Sequence, residues 1–99
     1  MQTHSITLGM NIPNAGTVTN QMWIDFLNVT VLASLEYATI TDSIGIYKGT
    51  VEKSKTISVT TEDPAAVDAH RKVGDAYKAA FNQDAIMYTV TAVPLLQFT

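Results

Sequence analysis

The stretch Ile44-Gly45-Ile46-Tyr47-Lys48-Gly49-Thr50-Val51-Glu52-Lys53-Ser54-Lys55-Thr56-Ile57-Ser58-Val59 decides how the rest of the chain is read. Two alternating runs rich in β-branched residues flank Lys48-Gly49-Thr50, and glycine supplies the positive φ that a tight connection needs, so the stretch predicts a β-hairpin. Across it the phenol of Tyr47 and the carboxylate of Glu52 are expected to face each other near the turn, with Lys48, Lys53 and Lys55 close by. Unusual polar chemistry gathers nowhere else in the chain. Composition and spacing lead to a small α+β domain and name no reaction.

Upstream, Tyr37 to Lys48 alternates, with Ala38, Ile40, Ile44 and Ile46 on one face and Thr39, Thr41, Ser43, Gly45 and Tyr47 on the other. The return strand places Val51, Ile57 and Val59 on the first face and Glu52, Ser54, Thr56, Ser58 and Thr60 on the second. Residues 4 to 12 alternate as well, with His4, Ile6, Leu8, Met10 and Ile12 on one side, which reads as a half-buried strand broken by Pro13-Asn14-Ala15-Gly16. Thr19 is the expected N-cap of a helix of about 14 residues ending near Ser34. Met22, Trp23, Phe26, Leu27 and Thr30 or Val31 recur in it at helical spacing, and Trp23 and Phe26 are expected to anchor it to a sheet.

Asp63-Pro64 predicts a second helix start, a side-chain acceptor followed by a proline whose missing N–H costs nothing there. Ala66, Ala69 or His70, Val73, Tyr77, Ala80 and Phe81 then form one stripe, which ends at Asn82-Gln83. A last strand carries Ile86, Tyr88 and Val90 on one side and Met87, Thr89 and Thr91 on the other. Pro94-Leu95-Leu96-Gln97-Phe98 reads as a short tail, an edge strand or an oligomer contact.

The order β-α-β-β-α-β is the ferredoxin-like, split-βαβ pattern of an α+β fold: a four-stranded antiparallel sheet with two helices on one face. Its other face is lined by threonine and serine, Thr3, Ser5, Thr7, Thr41, Ser58 and Thr89 among them. Two readings of that face stand side by side. It is a solvated surface, since threonine suits strands, or it packs against copies of itself around a three-fold axis, with ligand clefts where the hairpin of one subunit meets its neighbour.

Ninety-nine residues predict one domain, residues 1–99. Six Lys plus Arg against nine Asp plus Glu give a net charge of −3, which leaves no electrostatic footprint for nucleic acid. With no cysteine, and with His4 and His70 far apart in sequence, no metal site is expected. The start Met1-Gln2-Thr3-His4-Ser5 lacks a basic region and apolar run, and no apolar segment approaches the ~20 residues of a membrane span, so the chain reads as soluble and cytoplasmic. His4, His70 and Asp63 read as structural residues. Asn28-Val29-Thr30 matches a glycosylation acceptor only by coincidence.

Nearly the whole chain resembles a bacterial family known only as a domain of unknown function. The marks are Ile12-Pro13-Asn14-Ala15-Gly16-Thr17-Val18, Trp23 to Phe26, Gly45-Ile46-Tyr47, Glu52-Lys53-Ser54 and Ala76-Tyr77-Lys78-Ala79-Ala80-Phe81-Asn82-Gln83. It departs from that pattern at Ala15, at Tyr47 where the family has tryptophan, and in a shorter hairpin. A second resemblance, through Tyr47-Lys48-Gly49, Glu52 and Lys55-Thr56-Ile57-Ser58-Val59, is to the S-adenosylmethionine lyases of bacteriophages, PII-like trimers.

That second resemblance implies an intramolecular reaction giving methylthioadenosine and homoserine lactone, with no metal, cofactor or protein nucleophile. It implies catalytic roles for Tyr47 and Glu52, and ligand contacts at Gly45, Ile46, Lys48, Gly49 and Ser54. The alternatives are a non-catalytic PII-like module that binds a nucleotide or similar metabolite, and a purely structural oligomer.

Overall fold

A computed structural model describes residues 1–94 and 96–99, with Tyr47 described by its backbone alone. Four strands form the main sheet: β1 (Gln2–Gly9), β4 (Thr39–Tyr47), β5 (Thr50–Thr61) and β6 (Met87–Ala92). They lie in the order β4-β5-β1-β6, and every neighbouring pair is antiparallel. One helical rod lies in sequence between β1 and β4, and α3 (Pro64–Ala80) between β5 and β6. The fold is therefore the expected ferredoxin-like βαββαβ arrangement.

The first rod starts at Thr19, whose hydroxyl accepts from the Met22 N–H at 3.1 Å. It runs as α1 (Asn20–Phe26), a π-helical turn (Leu27–Val31) and a last short piece, α2 (Leu32–Ser34). The wide turn carries Val29, Thr30 and Val31, β-branched side chains that crowd a regular α-turn. Trp23, Phe26 and Val31 nevertheless all reach the core, so the sheet-facing stripe survives the change of pitch.

Helix α3 begins as its sequence predicts, with the Asp63 carboxylate accepting from the Ala65 N–H at 2.9 Å and Pro64 in the first turn. Its stripe buries His70, Val73 and Tyr77 against Ile6, Leu8 and Ile57. Each aliphatic side chain among them contributes about 1.5 to 3 kcal/mol by leaving water. Phe26 meets the Tyr77 ring edge-on at 5.3 Å between centroids, which joins the two helices above the sheet.

Two local expectations are corrected. The first strand ends at Gly9 instead of running to Ile12: Asn11–Ile12 (β2) pairs with Gly16–Thr17 (β3) as a separate two-stranded ribbon. Its turn needs positive φ at Asn14 and Gly16, and closing it draws the chain out of the main sheet. At the main hairpin the turn is Lys48-Gly49 alone, both with positive φ, the geometry that matches strand twist in a two-residue connection. Thr50 thus belongs to β5 and pairs with Tyr47, while Glu52 pairs with Gly45. Tyr47 and Glu52 are therefore two pairs apart in the register instead of directly opposed.

Both histidines are buried. His4 Nδ1 shares a 2.5 Å hydrogen bond with the Tyr88 hydroxyl, and His70 Nε2–H donates to the Ile57 carbonyl at 2.9 Å. His70 Nδ1 has no hydrogen-bond partner among the described residues. Burial holds the His70 pKa below its usual value, the Ile57 bond opposes that in part, and His4 and Arg71 add to the lowering. Below about pH 6.5 the unfolded chain takes up a proton that folded His70 refuses, so stability falls as the pH falls. Urea midpoints measured from about pH 7.5 to about 5.5 should decline in the parent and flatten in His70→Gln.

Candidate functional site

Strand β5 is twelve residues long and β1 eight. Pairing between β1 and β5 stops at Gly9 with Ser54, whereas β4 stays paired with β5 out to Tyr47 and Thr50. The two strands therefore leave the body together as an arm. On its helix side Ile44, Ile46 and Val51 are exposed, and a groove of about 750 Å³ runs past Met10, Val18, Asn20, Ile44 and Lys53. Beside the groove the Lys55 ammonium pairs with Asp42 at 2.5 Å and lies 5.4 Å from the centre of the Trp23 ring.

The opposite side of the arm continues the uncovered sheet face, and Glu52 stands there. Its carboxylate is half-buried and accepts from the Asn11 N–H at 3.2 Å. It lies over Gly9: a Cβ at that position would come within 2.9 Å of Glu52 Oε1. Beneath Gly9, the Tyr77 hydroxyl donates to the Gly9 carbonyl at 2.6 Å. Burial, with the Glu52 charge as a second cause, pushes the Tyr77 pKa up to about 12, so this phenol stays a donor at neutral pH.

Four pairs of hydroxyls on that face bond across the strands. Thr3 and Thr60 approach to 2.6 Å, Ser5 and Ser58 to 2.8 Å, Thr7 and Thr56 to 3.3 Å, and Ser43 and Ser54 to 2.6 Å. Each pair joins residues directly opposite in the register, where side chains are close enough to meet. Among the described strand residues Glu52 is the one charged side chain on this face.

Of the residues singled out from the sequence, the structure gathers Glu52, Gly45 and Ser54 with the Tyr47 backbone on one side of the arm. The Tyr47 side chain lies outside the described residues. Ile46 faces the other side, opposite Val51, and Lys48 and Gly49 form the turn. Among the described residues, a Cβ on Gly45 would meet the Glu52 carbonyl at 4.0 Å. Gly9, Asn11, Tyr77 and Gln83 were not read as part of a site. Tyr77 and Gln83 stand in a motif quoted above, but nothing along the chain shows that the end of β1 passes beneath Glu52.

Among the described residues no three His, Asp or Glu side chains converge as metal ligands, and no helix is long and apolar enough to cross a membrane.

Fold and face together define a ferredoxin-like α+β protein whose uncovered, hydroxyl-lined sheet carries one seated carboxylate. Residues 3–96 match the model of the family described as "Protein of unknown function (DUF3574)", and the chain belongs to that family. Among solved structures it is similar to a phage SAM lyase in complex with S-methyl-5'-thioadenosine, with a TM-score of 0.64, 16% identity, and coverage of 91% of this chain and 79% of the other. The phage SAM lyase in its apo state is similar at a TM-score of 0.64 and 18% identity, over 91% of this chain and 78% of the other. At such identities the likeness shows the fold. No curated protein matches the sequence significantly.

Tyr77→Phe keeps the ring packing and removes the donor to Gly9. The carbonyl then loses its partner beneath the sheet, at a cost of about 1 to 2 kcal/mol in unfolding free energy. Urea denaturation of parent and variant at neutral pH measures it.

Proposed function

We propose that the protein is an S-adenosylmethionine-degrading lyase, acting at subunit interfaces in a small trimer of the 1–99 domain. The observation that carries this reading is the Glu52 carboxylate, the one charged side chain on this face among the described strand residues, paired in register with Gly45. The matching fold of a phage SAM lyase with bound S-methyl-5'-thioadenosine supports the substrate class.

The chemistry suits a sparse site. The substrate's own carboxylate oxygen attacks the carbon attached to the sulfonium. A C–O bond forms, the C–S bond breaks with its electron pair moving to sulfur, and methylthioadenosine leaves as homoserine lactone forms. No proton is transferred, so no general base is needed. The protein supplies orientation and charge.

Glu52 holds the substrate's ammonium or sulfonium charge. Tyr47 hydrogen-bonds the amino-acid moiety or presents its π face to the cation. Backbone at Gly45 and Gly49 lies close to the ligand, Lys48 and Ser54 complete the contacts from the same arm, and Ile46, which faces the other way, contacts a ligand held by the neighbouring subunit. Paired hydroxyls make such an assembly inexpensive, because face-to-face packing leaves few polar groups without partners.

Purified protein incubated with S-adenosylmethionine should yield methylthioadenosine by liquid chromatography, and Glu52→Gln should lower the rate at least a hundredfold, a loss of about 3 kcal/mol of transition-state stabilisation. Saturable binding without product would favour the metabolite-binding module. Neither binding nor product would leave a structural oligomer.

A further inference from the structure

Where β1 leaves the sheet, residues 9 to 11 must find partners for backbone groups that the ladder no longer serves. Four are taken by fixed parts of the protein. The Gly9 carbonyl accepts from the Tyr77 hydroxyl at 2.6 Å, and the Met10 N–H donates to the Lys53 carbonyl at 2.9 Å. The Met10 carbonyl accepts from the Val18 N–H at 2.7 Å, and the Asn11 carbonyl from Gln83 Nε2 at 2.7 Å. Tyr77 and Gln83 belong to the motif at the end of α3, so the helix holds this segment from below and from its end. The Asn11 N–H donates to Glu52 Oε2.

Gly9 completes the arrangement by lacking a side chain. A Cβ there would sit 2.9 Å and 3.0 Å from the two carboxylate oxygens of Glu52 and 3.1 Å from its Cδ. The obstacle is the far end of a flexible side chain, not backbone, so an added methyl displaces the carboxylate and leaves the strand where it is. Gly9 has no left-handed φ to require glycine, in contrast to Gly16 and Gly49. Its absent side chain is accounted for by the carboxylate above it.

We propose that Gly9 is a positioning residue for Glu52: together with the Asn11 N–H, held in place by Tyr77 and Gln83, it forms a seat that fixes the carboxylate on the uncovered face. The carboxylate is thereby presented toward a cationic ligand in one orientation, without rotamer search. That role rests on the reading of Glu52 as the ligand's counter-charge, while the seat stands on geometry alone.

Nuclear magnetic resonance of the Asn11 amide reads the seat without any ligand. In the parent, the Asn11 amide proton should lie downfield, as the donor of a hydrogen bond to a carboxylate does, and in Glu52→Ala that displacement should vanish. Gly9→Ala should abolish it too while its circular dichroism and thermal melting follow the parent. With S-adenosylmethionine, Gly9→Ala should cost about tenfold or more in turnover, the scale of a hydrogen bond to a charged group. In the Glu52→Gln background it should cost nothing further, because it acts through that side chain.

An Asn11 amide proton that keeps its parent position in Gly9→Ala would overturn the seat. So would a Gly9→Ala destabilisation that persists in the Glu52→Gln background, since glycine would then be required by the strand. Parent protein that leaves S-adenosylmethionine intact, while the Asn11 amide behaves as expected, upholds the seat and removes the lyase reading.

Discussion

The length of β5 is the constraint on which the molecule depends. Its middle residues, Ser54 to Ser58, pair with β1 on one side and β4 on the other, its last three pair with β1 alone, and Ile57 and Val59 enter the core beneath the helices. Its first residues have β4 alone as a neighbour. The same two-residue period that buries Ile57 therefore exposes Val51 on the arm, and the same period that pairs Ser58 with Ser5 raises Glu52 over the end of β1. Core, arm and carboxylate are consequences of one strand outrunning its neighbour.

The uncovered face follows from the same alternation and has an unusual economy. A sheet surface of serine and threonine in water leaves each hydroxyl to the solvent. Here four opposite pairs bond to each other across the strands, so part of the hydroxyls' hydrogen bonding is met within the sheet, with Glu52 at the margin of the face. Such a surface loses little when water leaves it. That property, more than its apolar area, supports the proposed contact with another copy of the chain.

Most of the fold was legible in the sequence because its signals are local. Thr19 and Asp63 announce helix starts by their own hydrogen-bonding chemistry, Trp23 and Phe26 repeat at helical spacing, and Ile6, Leu8 and Ile57 alternate at strand spacing. The misplaced pieces are those where one residue changes a register. Thr50 was read into the turn, and its return to β5 shifts Glu52 from Tyr47 to Gly45. The π-helical turn at Leu27–Val31 has no composition of its own beyond a β-branched run that also occurs in regular helices. Of the candidate site, Glu52 was visible as a lone acid near a turn. Its partners at Gly9 and Asn11 were not, because the pairing of the first strand with the third is a tertiary fact, set by the packing of α3 over both.

The account holds that the hydroxyl face is an assembly surface, and the mass of the protein in solution tests this most directly. Analytical ultracentrifugation at micromolar concentration should give three times the 10.7 kDa protomer mass, and Ser58→Asp, which places an unpaired charge in the middle of the face, should give the protomer mass with the fold retained by circular dichroism. A parent chain that sediments as a single protomer would contradict the assembly and with it any site completed by a neighbouring subunit.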